Sequence, residues 1–520
     1  MERFLLAQLY LTSLEDKTTI KAVKFALSHL KKQTQGSTED GKLNILETAY
    51  DEAMKRIKDQ RAGFRLLAER VLSWITCATR SLKTLELQHA LAIELGEREI
   101  DGENIPQMEQ MVSVCSGLVT VDRESGVVRL IHYTTQEYLD RTKDRWFPTA
   151  HEDISNACIT YLSFSAFSTG FCHSYRDYKQ RLESYPLYHY ATHNWARHAH
   201  ISNNSAIQSA TTVISFMEQD RNVEATFQLL LADERDSASV ATSQVPQQTR
   251  GLHLAAYWGL DGALAELLTR GYGSECRDSL GQTPLLYAAR RGNLSTVKIL
   301  LGCREGIDAN AADGEGATPL IHAVRGGHSA VVNLLLLLDR LWVDVNHRDN
   351  NGQTALMWAA RSHRWDILIQ LLADGRADAN MKDGFGQSAL ALSAEKAPAH
   401  VVERFLEVDG IKIDASDICG LTPLALAMSF GNAEVTKLLQ EKLPVIPLPE
   451  YRPNLVKRVI REVRRLNFDL PCYLLPVRCV DNDLVSFTTL CCGVLCLKLV
   501  SIAQPRTLIS LSSYVGEGQL

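Results

Sequence analysis

Apolar positions in the second half of the chain return at a nearly constant interval. Each period opens on a polar tetrad of the form D-x-x-G: DSLG (Asp278–Gly281), DGEG (Asp313–Gly316), DNNG (Asp349–Gly352), DGFG (Asp383–Gly386) and DICG (Asp417–Gly420). Their glycines stand 35, 36, 34 and 34 residues apart. Two residues past each glycine come TPLLYAA, TPLIHAV, TALMWAA, SALALSA and TPLALAM, and then a second apolar run such as VKILL or VVNLLL. An earlier copy, RGLHLAAYWG (Arg250–Gly259), lacks the tetrad. The pattern predicts short helix pairs joined by tight turns. Gly is free to take positive φ in the turn. Thr caps the first helix and Pro fits its first turn. The Ala pair lets helices approach closely, and the Leu pair closes the core against the next copy.

A fixed period of this length is the mark of a stacked-repeat architecture, and these words resemble the ankyrin repeat, six copies over residues 250–443. The fold class expected here is therefore mainly α, an ankyrin solenoid. A stack of this kind has no catalytic cavity and binds protein partners along a concave face. The resemblance also implies which positions meet a partner: the residue before each turn Asp, the turn tip, and the pair after the Ala-Ala element. Before the turns stand Arg277, Arg348 and Lys382; after the Ala pairs stand Arg290 with Arg291, then Arg325, then Arg361. Only Glu315 at a tip and Glu395 in the fifth repeat oppose them. The expectation is a basic ladder beside Tyr287 and Trp358 that docks an acidic protein segment, since Arg forks match carboxylates. Arg is also simply soluble and helix-friendly, so the ladder is compatible with a purely structural reading.

The front half alternates helix and strand patterns. FRLLAERVLSWITCA, LKTLELQHALAIEL and IPQMEQMVSVC predict three helices; LVTVD and VVRLIHYT flank the turn RESG as a two-stranded wing. That order is the order of a winged helix. RVLSWITCATRSLKTLELQHAL, CSGLVTVD and VVRLIHYTTQEYL resemble the winged-helix segment that follows the NACHT nucleotide-binding domain in fungal STAND proteins. FLLAQLYLTSL resembles the end of a NACHT module, and YPLYHYATHNWARHA the helix that precedes the repeats. The domain order expected is a NACHT-end-like helical segment (1–60), winged helix (61–145), helical linker region (146–233), polar linker (234–249), six ankyrin repeats (250–443), and a basic helix with a Cys-rich apolar tail (444–520).

A NACHT ATPase needs G-x-x-x-x-G-K-[ST] to cradle phosphate. The nearest string, GSTEDGKL (Gly36–Leu43), puts Leu43 where the magnesium-binding hydroxyl belongs, and it reads as a loop. The resemblance implies that His132 sits where such proteins contact a nucleotide phosphate; without a P-loop it reads as a remnant of that sensor. The second and third helices of the winged helix are rich in Glu, the wrong sign for phosphate contacts, so direct sequence-specific nucleic-acid binding is not expected.

Composition adds exclusions. A formal net charge of −6 argues against a general nucleic-acid binder. Twelve cysteines, with no C-x-x-C pair, read as reduced thiols in the cytoplasm or nucleus. The one segment with the length of a membrane span, about 484–503, contains Lys498 and several Ser and Thr, so insertion is not expected. No Ser-His-Asp grouping, nucleophile elbow, carboxylate dyad or HExxH occurs, so no enzymatic activity, catalytic residue or cofactor is predicted. HYATHNWARHAH (His189–His200) places His189, His193 and His200 on one helical arc, as a zinc site would. However, Tyr190 occupies the place of a general base and no carboxylate is set to orient the imidazoles. No metal is expected; the three histidines read as a solvent-facing side, with Trp195 packed inward and His198 beside it. RPNLVKRVIREVRRL (Arg452–Leu466) puts apolar residues on one face and six bases on the rest. It reads as a helix closing the stack, alternatively as a nuclear-localisation or anionic-surface patch. The two functions carried forward are a regulatory adaptor, with transcription coregulation as one form, and the C-terminal part of a nucleotide-gated signalling protein acting in immune or incompatibility signalling. Oligomeric state is not readable from the sequence.

Overall fold

The computed structural model describes residues 19–21, 24, 39–122, 124–202, 211–233, 245–303, 307–338 and 342–443. The Phe4–Leu14 segment, most of the polar linker, the basic stretch Arg452–Leu466 and the tail to Leu520 lie outside them. Two compact units divide between Ser279 and Leu280.

The first unit opens with α1 (Glu39–Lys58) and α2 (Ala62–Cys77). The expected loop at Gly36–Leu43 is therefore corrected in part, because Glu39 to Leu43 already lie in α1. The winged helix has one strand more than its pattern predicts. Leu82–Lys83 forms β1 ahead of α3 (Thr84–Ala92), and α4 (Met108–Ser113) is short. β2 (Val119–Val121) and β3 (Val127–Leu130) follow, and the antiparallel order is β1-β3-β2, with Leu82 opposite Val128 and Val119 opposite Leu130. A two-residue strand has too few alternations to separate from a helix start, so LKTLEL reads as one helix. The true boundary is a cap: Glu86 accepts the Lys83 N–H at 2.8 Å while Arg80 grips the same carboxylate at 2.7 and 2.9 Å. Burial alone would raise the Glu86 carboxyl, but these donors hold it below its ordinary value.

After the wing, α5 (Tyr133–Trp146) returns to α1. Tyr50 of α1 bonds Thr134 and Thr135, at 2.7 and 3.2 Å. Then α6 (Ala150–Leu162), α7 (Tyr175–Ser184), α8 (Tyr188–Ile201), α9 (Thr211–Met217) and α10 (Asp220–Asp233) form a helical region around the closely packed α6–α8 pair. Irregular backbone beside it is satisfied by amides: Asn222 donates to the carbonyls of Leu162 and Phe164, and Gln228 bonds both N–H and C=O of Cys172 at 2.8 Å. The first helix pair of the repeat pattern, α11 (Gly251–Trp258) and α12 (Asp261–Thr269), packs on α9 and α10. Gly251 permits the contact, since a Cβ there would meet the Met217 carbonyl oxygen at 2.3 Å.

Five further helix pairs make up the second unit: α13 (Pro284–Arg291) with α14 (Leu294–Gly302), α15 (Pro319–Gly326) with α16 (Ser329–Leu336), α17 (Ala355–Arg361) with α18 (Trp365–Asp374), α19 (Ala389–Ala394) with α20 (Ala399–Leu406), and α21 (Pro423–Phe430) with α22 (Ala433–Lys442). First helices pack on first helices of the next pair, and second on second. Thr283, Thr318, Thr354, Ser388 and Thr422 cap the first helices as their sequence predicts. The fold is mainly α, built of ankyrin repeats behind a winged helix.

Candidate interaction surface

The turn aspartates organise the face on which a partner would lie. Asp349 Oδ1 accepts the N–H of Asn351 and of Gln353, both at 2.9 Å. Asp313, Asp383 and Asp417 repeat this pair of bonds. The glycine closing each tetrad sits at φ between 73 and 78°, where only glycine is unstrained. Neighbouring turns are then joined: Gly314 N–H donates to Leu280 O at 2.7 Å, Asn350 to Glu315 O, and Gly384 to Asn351 O. On the loops after the second helices, Asn310, Asn346 and Asn380 each bond forward to two backbone groups of the next repeat.

The second oxygen of the turn Asp has a partner that the sequence misassigns. Trp358 Nε1 donates to Asp349 Oδ2 at 2.7 Å, and His322 Nε2, at the equivalent position, pairs with Asp313 Oδ2 at 2.8 Å. Burial keeps His322 below its ordinary imidazole range, and Asp313, which burial would raise, is held low by His322 and two amides. This corrects the expectation for Tyr287 and Trp358. Both rings are buried, at 0% and 4% exposure, because this position points back at the turn rather than outward. A nine-residue spacing from Asp to His or Trp (313 to 322, 349 to 358) was the available signal.

The predicted cations divide into two groups. Arg348 Nη2 donates to Lys382 O at 2.8 Å and its Nε to Gly352 O; Lys382 Nζ donates to Ser416 O at 2.7 Å. These exposed residues tie one turn to the next. Arg290, Arg325 and Arg361 instead end the first helices of successive repeats, half-buried, with Arg291 exposed beside the first. Arg325 stacks 4.4 Å over the Trp358 ring and donates to Glu315 at 3.2 Å. Arg361 acts on the half-buried Glu395, whose carboxyl burial pushes up to about 7 while Lys396 and Arg361 pull it down. Arg277, in the first unit, is exposed.

His132, the residue resembling a nucleotide sensor, caps α5: its Nδ1 accepts the Thr134 N–H at 3.3 Å and meets the Thr134 hydroxyl at 2.8 Å. The histidine cluster on α8 turns Trp195 and His198 fully inward. His189 and His200 are exposed, and His193 stacks on His189. Among the described residues no group of three His, Cys, Asp or Glu is placed to hold a metal, and no helix is long and apolar enough to cross a membrane. His198 instead joins a buried chain. Tyr190 OH accepts the Thr79 N–H at 3.2 Å and meets His198 Nε2 at 2.8 Å; His198 Nδ1 meets His151 Nδ1 at 2.8 Å. Each of the two His198 contacts holds one proton between its atoms, in an order set by the tautomers of His198 and His151.

That chain needs neutral imidazoles. Burial, with His151 and Arg197, pushes His198 down to about 3 from 6.5 unfolded. A depressed value means the stabilisation is complete above about pH 6.5 and is lost as pH falls toward 3, where the unfolded state takes up the proton first. At pH 5 the expected loss is about 2 kcal/mol. Chemical denaturation at pH 7 and pH 5 should show it, and His198→Gln should flatten the dependence. Equal stability of the wild-type first unit at both values would contradict this account.

The chain matches the family described as GPI inositol-deacylase, winged helix domain, over residues 55–150. Ankyrin repeats (3 copies) match over 252–340, 305–383, 337–417 and 366–445. Among solved structures it is similar to a chain of "Bd0816 Predatory Endopeptidase from Bdellovibrio bacteriovorus in complex with immunity protein Bd3460", at 26% identity over 37% of this chain and 97% of that one, with a TM-score of 0.33. This chain thus joins a winged helix of the GPI inositol-deacylase type to ankyrin repeats, which are non-catalytic modules for protein interaction.

Proposed function

We propose that the chain is a regulatory adaptor that captures a protein partner through an acidic segment laid along the ankyrin face. The observation that carries this reading is the recurrence of Arg290, Arg325 and Arg361 at one position of three successive repeats, each half-buried. Guanidinium groups at such a site lose less hydration than ammonium groups and bind carboxylates in pairs. Affinity capture with the full chain, wild type against Arg290→Glu/Arg325→Glu/Arg361→Glu, tests it. Partners held by the wild type should be depleted at least about ten-fold in the variant, as expected for several charge-assisted contacts. Undiminished recovery of every partner removes the acidic-segment reading. Transcription coregulation is one form of this role, in the nucleus or between nucleus and cytoplasm. A tagged protein kept out of the nucleus, with or without the bases of Arg452–Leu466, excludes that form.

The winged helix ahead of the repeats supports a second reading, the C-terminal part of a nucleotide-gated signalling protein. An adjoining upstream reading frame with a P-loop decides for it.

A further inference from the structure

The position that ends the first helix of each repeat does not carry one sign throughout the second unit. Arg290, Arg325, Arg361, Glu395 and Ser429 occupy it in order. The first four belong to one continuous electrostatic strip. Arg290 and Arg325 both act on His322, Arg325 lies over Trp358, Trp358 is one helical turn before Arg361, and Arg361 acts on Glu395. The sign therefore changes once, between the fourth and fifth repeats.

Packed helices lie about 8–10 Å apart, and a segment in the extended polyproline-II form advances about 3.1 Å per residue and returns to the same face every third residue. One repeat of the strip thus spans three residues of an extended segment. Resting on the acidic-partner reading above, we propose that the strip reads an extended segment with three carboxylates at three-residue intervals, followed at the same interval by Lys or Arg facing Glu395. Glu315 already pairs with Arg325 at 3.2 Å but is 57% exposed on its side chain, so a partner carboxylate can share that guanidinium. Lys396 turns toward His363 Nε2 at 3.5 Å. Glu395 is held in a half-buried place where an incoming cation favours its ionised form, which makes the position selective for charge rather than merely tolerant of it.

The test uses the full chain and fluorescein-labelled peptides in an anisotropy titration at low salt. One peptide is Asp-Ser-Gly-Asp-Ser-Gly-Asp-Ser-Gly-Lys; a second ends in Asp; a third carries its three Asp two residues apart. The wild type should bind the first about five-fold or more tightly than either other peptide, the scale of one partly buried ion pair. Glu395→Gln should erase the preference for a terminal Lys, and Glu395→Lys should reverse it toward terminal Asp. An unchanged preference in both variants, or equal binding of the closely spaced peptide, overturns the charge order while leaving the acidic-partner reading intact if Arg290→Glu/Arg325→Glu/Arg361→Glu still abolishes binding. Wild-type affinity in that triple variant overturns the underlying reading itself.

Discussion

Trp195→Ala should lower the stability of the first unit by about 3–5 kcal/mol, the range for removing a large aromatic from a core. Trp195 is completely buried at the α6–α8 contact, edge-on to Phe216 of α9 with ring centroids 6.0 Å apart. Its carbonyl accepts the Ser155 hydroxyl at 3.0 Å, so the backbone there is also fixed by α6. Alanine leaves a cavity bounded by three helices, none free to collapse without breaking the His151–His198–Tyr190 chain one turn away. The indole N–H has no hydrogen-bond partner among the described residues. Trp195→Phe should therefore be much milder, about 1–2 kcal/mol, because it loses volume but no hydrogen bond. Urea denaturation followed by far-UV circular dichroism separates the two variants. A loss below about 1 kcal/mol for alanine would mean that this helix is not the centre of its unit.

Asp349→Ala should cost the second unit about 3–5 kcal/mol. The substitution strands the N–H groups of Asn351 and Gln353 and the buried indole N–H of Trp358 together. Each stranded buried donor costs about 1–3 kcal/mol, and the half-exposed turn recovers part of that from water. It also loosens Trp358 beneath Arg325, so the ladder is disordered at its middle. Asp349→Asn keeps Oδ1 for the two backbone donors but turns an amide toward the indole N–H, and should fall between wild type and alanine. Because each repeat is supported by its neighbours, hydrogen exchange should rise at least ten-fold in α15 and α17 of the alanine variant. Protection unchanged there would show that the turn carboxylate is dispensable.

The repeats were legible because their determinants are local: Asp and Gly fix a turn, Thr or Ser a cap, and the Ala pair a close packing. These act within a few residues, and α13, α15, α17, α19 and α21 begin where such signals stand. The burial of Tyr287 and Trp358 was legible only through the nine-residue spacing from the turn Asp, because an aromatic ring beside a row of arginines otherwise reads the same whether it faces out or folds back onto the turn. β1 escaped because two residues show no period. For the histidine stretch, helical spacing separated Trp195 and His198 from His189 and His193, but the imidazole that His198 meets is His151, 47 residues earlier on α6. No local pattern announces that contact. Glu395 stood out as a sign exception in the ladder; its half-buried setting beside Arg361 is what gives the exception a consequence.

The most direct test of the acidic-segment reading is the salt dependence of binding a labelled ten-residue polyglutamate to the full chain. At about 50 mM salt the wild type should bind, and affinity should fall about ten-fold or more by about 300 mM as screening shortens the reach of the arginines. Arg290→Glu/Arg325→Glu/Arg361→Glu should abolish the low-salt binding. Equal affinity of wild type and variant at both salt concentrations would contradict it.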